Sequence, residues 1–141
     1  MASFIYNQFK TSVLSKLISC TTGGDIFKCA LYTVQLAQTA VSYATTSEVA
    51  GVSGYAQSGT TITNNGLTGA STVSFLCASA TWTATGTGFS AAYCTIYAST
   101  GSGAIQNICS FDFGGTQTAS GGGTFTISFN NTSPRAVFYI A

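Results

Sequence analysis

From Ile108 to Phe129 the chain reads ICSFDFGGTQTASGGGTFTISF. Phe111 and Phe113 alternate with Ser110 and Asp112, and Phe125, Ile127 and Phe129 alternate with Thr124, Thr126 and Ser128. Strict alternation of aromatics with small hydroxyl residues sends one set to each side of an extended backbone, the mark of a half-buried strand. Gly114, Gly115, Gly121, Gly122 and Gly123 lie between the runs and supply the backbone freedom of turns. The simplest expectation is an antiparallel hairpin with a long mobile tip over 114–123. Its aromatic face then needs a second layer to cover it.

The 141 residues suit one domain with a real core. Charge is scarce. Charged residues make up 5% of the chain, against about 25% in ordinary domains. The seven are Lys10, Lys16, Asp25, Lys28, Glu48, Asp112 and Arg135, with a net charge of +1. That balance offers no footprint for nucleic acid or an anionic membrane, so neither is expected as a partner. Sheet edges without Lys or Pro invite pairing with other chains. The expectation is a surface largely covered by neighbours in an assembly. Apolar runs fall short of the ~18 residues of a membrane helix. Leu17-Ile18-Ser19-Cys20 has the look of a lipoprotein cleavage box, but Lys10 and Lys16 interrupt its apolar segment, so an ordinary start is expected.

The five cysteines are Cys20, Cys29, Cys77, Cys94 and Cys109, with no CxxC pair and no histidine in the chain. A Cys/His zinc site and a thiol–imidazole nucleophile are thereby excluded. Neither a metal nor another cofactor is expected. Cys77, Cys94 and Cys109 are expected as buried thiols. Cys20 and Cys29 flank a short turn and form the candidate disulfide.

Along the chain, residues 3–18 read as a helix. Ile5, Phe9, Val13 and Leu17 recur at i, i+4, Leu14 widens the stripe, and Ser3 is a candidate N-cap. Residues 1–20 form an arm, with Phe4, Ile5, Phe9, Val13 and Leu17 as its candidate assembly interface. Residues 21–141 form the sandwich. Within it, 26–35 is a strand with Phe27, Cys29, Leu31 and Thr33 on one face and Lys28 and Tyr32 on the other. Residues 36–47 are a short helix or an irregular crossing, and 47–50 a helical turn. Strands follow at 60–63, 72–82, 89–98, 105–113, 124–129 and 137–140. In the 89–98 strand, Ala92, Cys94 and Ile96 share one face, with Phe89, Tyr93 and Tyr97 on the other. Short strands in close succession with Gly-rich turns give a mainly β, antiparallel, jelly-roll-like sandwich with an N-terminal helix.

Few residues carry chemistry. Glu48 and Tyr55 are expected to fix the 47–59 loop, with a loop backbone N–H or Lys28 as partner to the carboxylate. Glu48 and Asp112 are the one plausible acid pair for a hydrolase. Tyr55, Trp82 and Tyr97 are the aromatics that could serve a carbohydrate-binding module. Each has a plainer role in the core or on a strand, and no enzyme is expected.

The order of the segments resembles a family of small virion proteins of tailed bacteriophages. Ile5-Tyr6-Asn7-Gln8-Phe9-Lys10 is similar to that family's opening Tyr-Asn-x-Phe-Lys helix, and Ile26 to Val34 to its first strand. Glu48-Val49-Ala50-Gly51 with Ser53-Gly54-Tyr55 resembles its Asn-Glu-Val-x-Gly-x-Gly-Tyr loop, which leads into a Thr/Leu-Thr-Asn strand, here Thr61 to Asn64. Ala80-Thr81-Trp82-Thr83, Ala92 to Ala98, and Ser110-Phe111-Asp112-Phe113-Gly114 resemble its later strands. The set covers nearly the whole chain. Relatives are richer in Asp and Lys. The resemblance implies a structural virion protein, assembled in the host cytoplasm. The role expected is a capsid decoration (cement) protein on the outer shell, with a neck or tail component as the alternative. Expected partners are itself, as a homo-oligomer with a trimer favoured, and the major capsid protein or another virion protein.

Overall fold

The structure is a computed structural model that describes residues 2–69, 71, 73–129 and 137–140, the last three of these as backbone. It is a mainly β antiparallel sandwich with one short helix. In chain order the elements are β1 (Phe4–Ile5), α1 (Asn7–Leu14), β2 (Ile26–Tyr32), β3 (Thr60–Ile62), β4 (Asn64–Thr68), β5 (Val73–Cys77), β6 (Ala80–Thr83), β7 (Phe89–Ser99), β8 (Ile105–Ala119), β9 (Thr124–Ile127) and β10 (Phe138–Ile140). The first layer is a five-stranded sheet in the order β1-β8-β7-β2-β3. The second layer is built from β10-β5-β4 and β6-β9. Here the 72–82 run breaks at Ala78-Ser79, so β9 and β10 pair with successive stretches of it.

The core lies between the layers. β2 sends Phe27, Cys29 and Leu31 inward, as its alternation demands, and β7 adds Cys94, Ile96 and Ala98. Phe75, Cys77, Trp82 and Phe125 meet them from the second layer. Phe27 packs on Phe75 with ring centroids 4.8 Å apart, and Phe125 meets Phe89 at 5.6 Å. The outer face of the first sheet is also covered. Ala30, Tyr32 and Tyr97 are buried there beneath Leu36 and Tyr43. The 33–58 segment that covers them is irregular, so of the two forms expected for 36–47 the irregular crossing is the one found, and the 47–50 helical turn does not form. Glu48 instead makes a β-bridge with Tyr32.

The expected hairpin is not built. β8 runs on through Gly114 and Gly115 to Ala119 and pairs with β7, whereas β9 pairs with β6 in the other layer. The glycines serve a bulge. Ala91 pairs with Gln117 and Tyr93 with Asp112, so two steps along β7 face five along β8. Gly114 takes a φ of +75° there, and its N–H donates to Asp112 Oδ1 at 2.8 Å. The slip also changes parity on β7. Phe89 and Ala91 join Cys94 and Ile96 in the core, and the expected grouping of Phe89 with Tyr93 and Tyr97 is lost.

The N-terminal helix is also shorter than expected. Phe4 and Ile5 pair with Ser110 and Cys109 on the free edge of β8, and the Tyr6 N–H continues the pairing to the Ile108 carbonyl at 2.9 Å. That edge satisfies their backbone groups as a helix would. Ser3 does not cap α1; its Oγ accepts the Asp112 N–H at 3.1 Å. The division at residue 20 dissolves for the same reason, since Tyr6, Phe9, Ile18 and Cys20 belong to the one core. Of the candidate interface residues, Phe9 is buried, while Phe4, Ile5 and Val13 pack part-buried against the core. Leu17 alone is largely exposed and lies beyond the helix.

The helix ends in a Schellman turn. The Leu17 N–H reaches the Ser12 carbonyl at 2.8 Å and the Lys16 N–H reaches Val13 at 3.1 Å. Lys16 holds the left-handed position, φ +56°, that glycine usually fills. Its β-carbon makes that conformation costly by about 1 kcal/mol. Lys16→Gly is therefore expected to raise stability by about that amount in urea titration. An unchanged or lower midpoint would contradict the strain.

All five cysteines are free and buried, so the Cys20–Cys29 disulfide does not form. Once Ile26 begins β2, Cys29 is carried about 10 Å along the strand to the inner face. There its thiol bonds with that of Cys94, which together with burial pushes it well up. Burial, and then the Asp25 charge, pushes Cys20 up to about 11. Cys20 is the most accessible of the five, at 9% exposure. Iodoacetamide should label none of them quickly in native protein, and Cys20 first as the fold loosens, read by mass spectrometry. Early labelling of Cys77 or Cys109 would refute this order.

Candidate functional site: a carboxylate held by tyrosines

The densest polar cluster gathers around Glu48, which is 8% exposed. Oε1 accepts the Tyr55 hydroxyl at 2.7 Å and the Ser58 N–H at 2.8 Å, and Oε2 accepts the Tyr43 hydroxyl. Of the two partners expected for the carboxylate, the loop N–H answers and Lys28 makes no ion pair with it among the described residues. The Tyr55 hydroxyl also accepts the Leu31 N–H at 2.9 Å, which ties the loop to β2. Tyr97 donates to the Ser58 carbonyl at 2.7 Å, and Tyr32 to the Ala44 carbonyl at 2.8 Å. The Tyr43 ring lies 4.8 Å from that of Tyr97.

Local backbone geometry serves this clamp. Ser47, Ser53 and Ser58 all adopt positive φ, at 63°, 55° and 70°. Such angles persist where surrounding bonds over-determine them. Gly59 follows at φ +65°, and a β-carbon there would collide with the Cys29 carbonyl. The loop is thus pressed directly on β2. Burial raises the Tyr97 hydroxyl to about 12 and lifts Tyr43 and Tyr55 further, with the Glu48 charge adding to each. All three phenols stay protonated and donate across the ordinary pH range.

The arrangement suits fastening. Both carboxylate oxygens of Glu48 meet donors from its own chain, two on Oε1 and one on Oε2, and the loop closes over it. Glu48 and Asp112 are not brought together. The paired row Glu48–Tyr32–Tyr93–Asp112 sets them three strand spacings apart, roughly 14 Å, beyond the ~5–9.5 Å of glycosidase carboxylates. Tyr55, Trp82 and Tyr97 offer no open ring to a sugar, because all three are buried. Tyr55 and Trp82 face the inner core, while Tyr97 lies under Tyr43 on the other side of the sheet. Sequence reasoning missed Tyr43. It sits in an Ala/Thr-rich stretch without periodicity, and nothing local marks it as a donor. It also missed Tyr6, whose hydroxyl meets Thr95 Oγ1 at 3.1 Å.

Elsewhere, α1 and the second layer bound an apolar groove of about 550 Å³, lined by Phe9, Val13, Ile18, Leu67 and Val73 with Lys16 at its rim. No group of three metal-ligating side chains and no membrane-length apolar helix occurs among the described residues. The chain matches no family model, no curated protein and no solved structure.

Proposed function

We propose that this chain is a structural component of a tailed-bacteriophage particle, acting as a decoration protein that binds and reinforces the outer shell. One observation carries the reading: the segments that resemble the phage family are the joints of this fold. Tyr6 fastens the arm to β7, Glu48 and Tyr55 lock the long loop, Trp82 fills the core, and Asp112 sets the β8 bulge. A sequence pattern spent on scaffold residues fits a protein whose task is to hold shape and present surface. The sparse charge fits a surface meant to be covered. Homo-oligomerisation, with a trimer favoured, belongs to the same proposal.

Gold-labelled antibody against the chain, applied to intact phage particles from the source culture, tests it by electron microscopy. Label distributed over the shell supports decoration. Label confined to the neck or tail moves the assignment there, and unlabelled particles refute both.

A further inference from the structure

β4 carries the one Asn-Gly step of the chain, Asn65-Gly66. In such a step the backbone nitrogen of the glycine can attack the asparagine side-chain amide, because no β-carbon blocks its approach. Here the step sits on a β-bulge. Asn64 pairs with Cys77 and Gly66 with Leu76, so Asn65 is the extra residue without a partner across the ladder. It is exposed to water, whereas Gly66 beside it is buried. The fold holds glycine at this place. Gly66 has a φ of +84°, and a β-carbon there would come within 2.5 Å of Thr22 Oγ1. A bulkier residue, which would slow the attack, does not fit. Instead the fold occupies the nucleophile. The Gly66 N–H donates to Asn64 Oδ1 at 2.7 Å, and Asn64 Nδ2 donates to the Thr21 carbonyl at 2.9 Å. Asn64 is thus fixed at both ends of its amide, between the 21–24 turn and the bulge, and it fixes the peptide plane from which Gly66 would attack.

We infer that Asn65 is a site of slow self-modification by deamidation, restrained by an Asn64 latch. The Gly66 nitrogen gives its proton to water or hydroxide and bonds to Asn65 Cγ. The Cγ–Nδ2 bond breaks, ammonia leaves, and a cyclic succinimide remains. Water then opens the ring at either carbonyl, to aspartate or to isoaspartate, with no change of oxidation state. The latch must open first, since the N–H that donates to Asn64 Oδ1 is the one that has to lose its proton and turn toward Asn65. Either product adds a negative charge to a chain of net charge +1. Isoaspartate also inserts a methylene into the backbone of β4, immediately before the Gly66–Leu76 pair, and so disturbs the β4–β5 ladder. This chemistry needs only water and does not depend on the role proposed above.

Storage of the full chain at neutral pH, native in buffer and unfolded in urea, tests this. Samples taken over weeks are cut with chymotrypsin, and the 56–67 peptide is sequenced by mass spectrometry. Isoaspartate is read separately by enzymatic methylation with protein-isoaspartate methyltransferase. Both products should appear at Asn65, more slowly in the native chain than in the unfolded one. Asn64→Ala removes the acceptor and should speed the native reaction about two- to ten-fold, the equivalent of one neutral hydrogen bond. Tyr6→Phe removes one buried hydrogen bond at the arm and controls for a general loosening of the fold; it should leave the native rate unchanged. No product in the native chain, aspartate without isoaspartate, or equal native and unfolded rates would each overturn the inference. So would an Asn64→Ala rate no faster than that of wild type or of Tyr6→Phe.

Discussion

Glu48→Ala should cost the fold about 2–4 kcal/mol, because it strands the Tyr55 hydroxyl and takes one acceptor each from Ser58 and Tyr43. Without the carboxylate, the buried Tyr55 hydroxyl loses its acceptor, the Ser58 N–H keeps only its 3.1 Å bond to the Tyr43 hydroxyl, and Tyr43 loses its own acceptor. Tyr43 is only part-buried and can recover a bond to water, so its share of the loss is small. Tyr55 cannot turn away, because its ring is held by Trp82 and Phe89 and its oxygen by the Leu31 N–H. Glu48→Gln keeps the shape but puts an NH₂ where an acceptor is needed, and should cost less, about 1–3 kcal/mol. The check is urea denaturation of both variants together with Tyr55→Phe and the Glu48→Ala/Tyr55→Phe pair. The double variant should lose clearly less than the sum of the single ones, since one interaction is removed twice. Additive losses, or a Glu48→Ala midpoint equal to wild type, would show that the carboxylate does not hold the loop.

High pH should unfold this protein far more readily than low pH. Burial raises the thiol of Cys20 to about 11 and that of Cys77 to about 12, from 9.0. It raises Tyr97 to about 12 from 10.0, with Tyr32, Tyr43 and Tyr55 above that. Each is a neutral acid that becomes an anion, so the unfolded chain gives up its protons first. Between the unfolded and folded values the native state holds more protons, and stability falls as pH rises. Stability from these groups is therefore complete below about pH 9, starts to fall there as thiols ionise, and falls faster above about pH 10 when tyrosines join. One buried group of this kind contributes a slope of up to about 1.4 kcal/mol per pH unit, and several act together. The acid side has only three carboxylates to protonate, so it should be much flatter. Urea midpoints measured from acid to alkaline pH decide the matter. A symmetric profile, or a midpoint steady beyond pH 11, would mean that these groups are not buried as described.

What could be read from the residues depended on whether pairing was local. The mainly β class followed from alternation alone, since a period of two buries one face whatever the partner strand. β2 shows this best: Phe27, Cys29 and Leu31 point inward as expected, because its pairing with β7 has no register slip from Ile26 to Tyr32. The acid–loop association of Glu48 with Tyr55 was legible too, because acids are so scarce that a buried one stands out.

The rest was decided by competition between distant segments. Gly114 and Gly115 permit a turn and a bulge equally, and only the available edge of β7 makes them a bulge. Phe4 and Ile5 fit a helical stripe or a strand, and the open edge of β8 chooses the strand. Tyr43 reaches Glu48 from five residues away along a path without period, so only the folded crossing brings its hydroxyl there. In each case the local preference is worth a few tenths to about 1 kcal/mol, while the backbone hydrogen bonds and apolar burial that the tertiary structure adds are worth more.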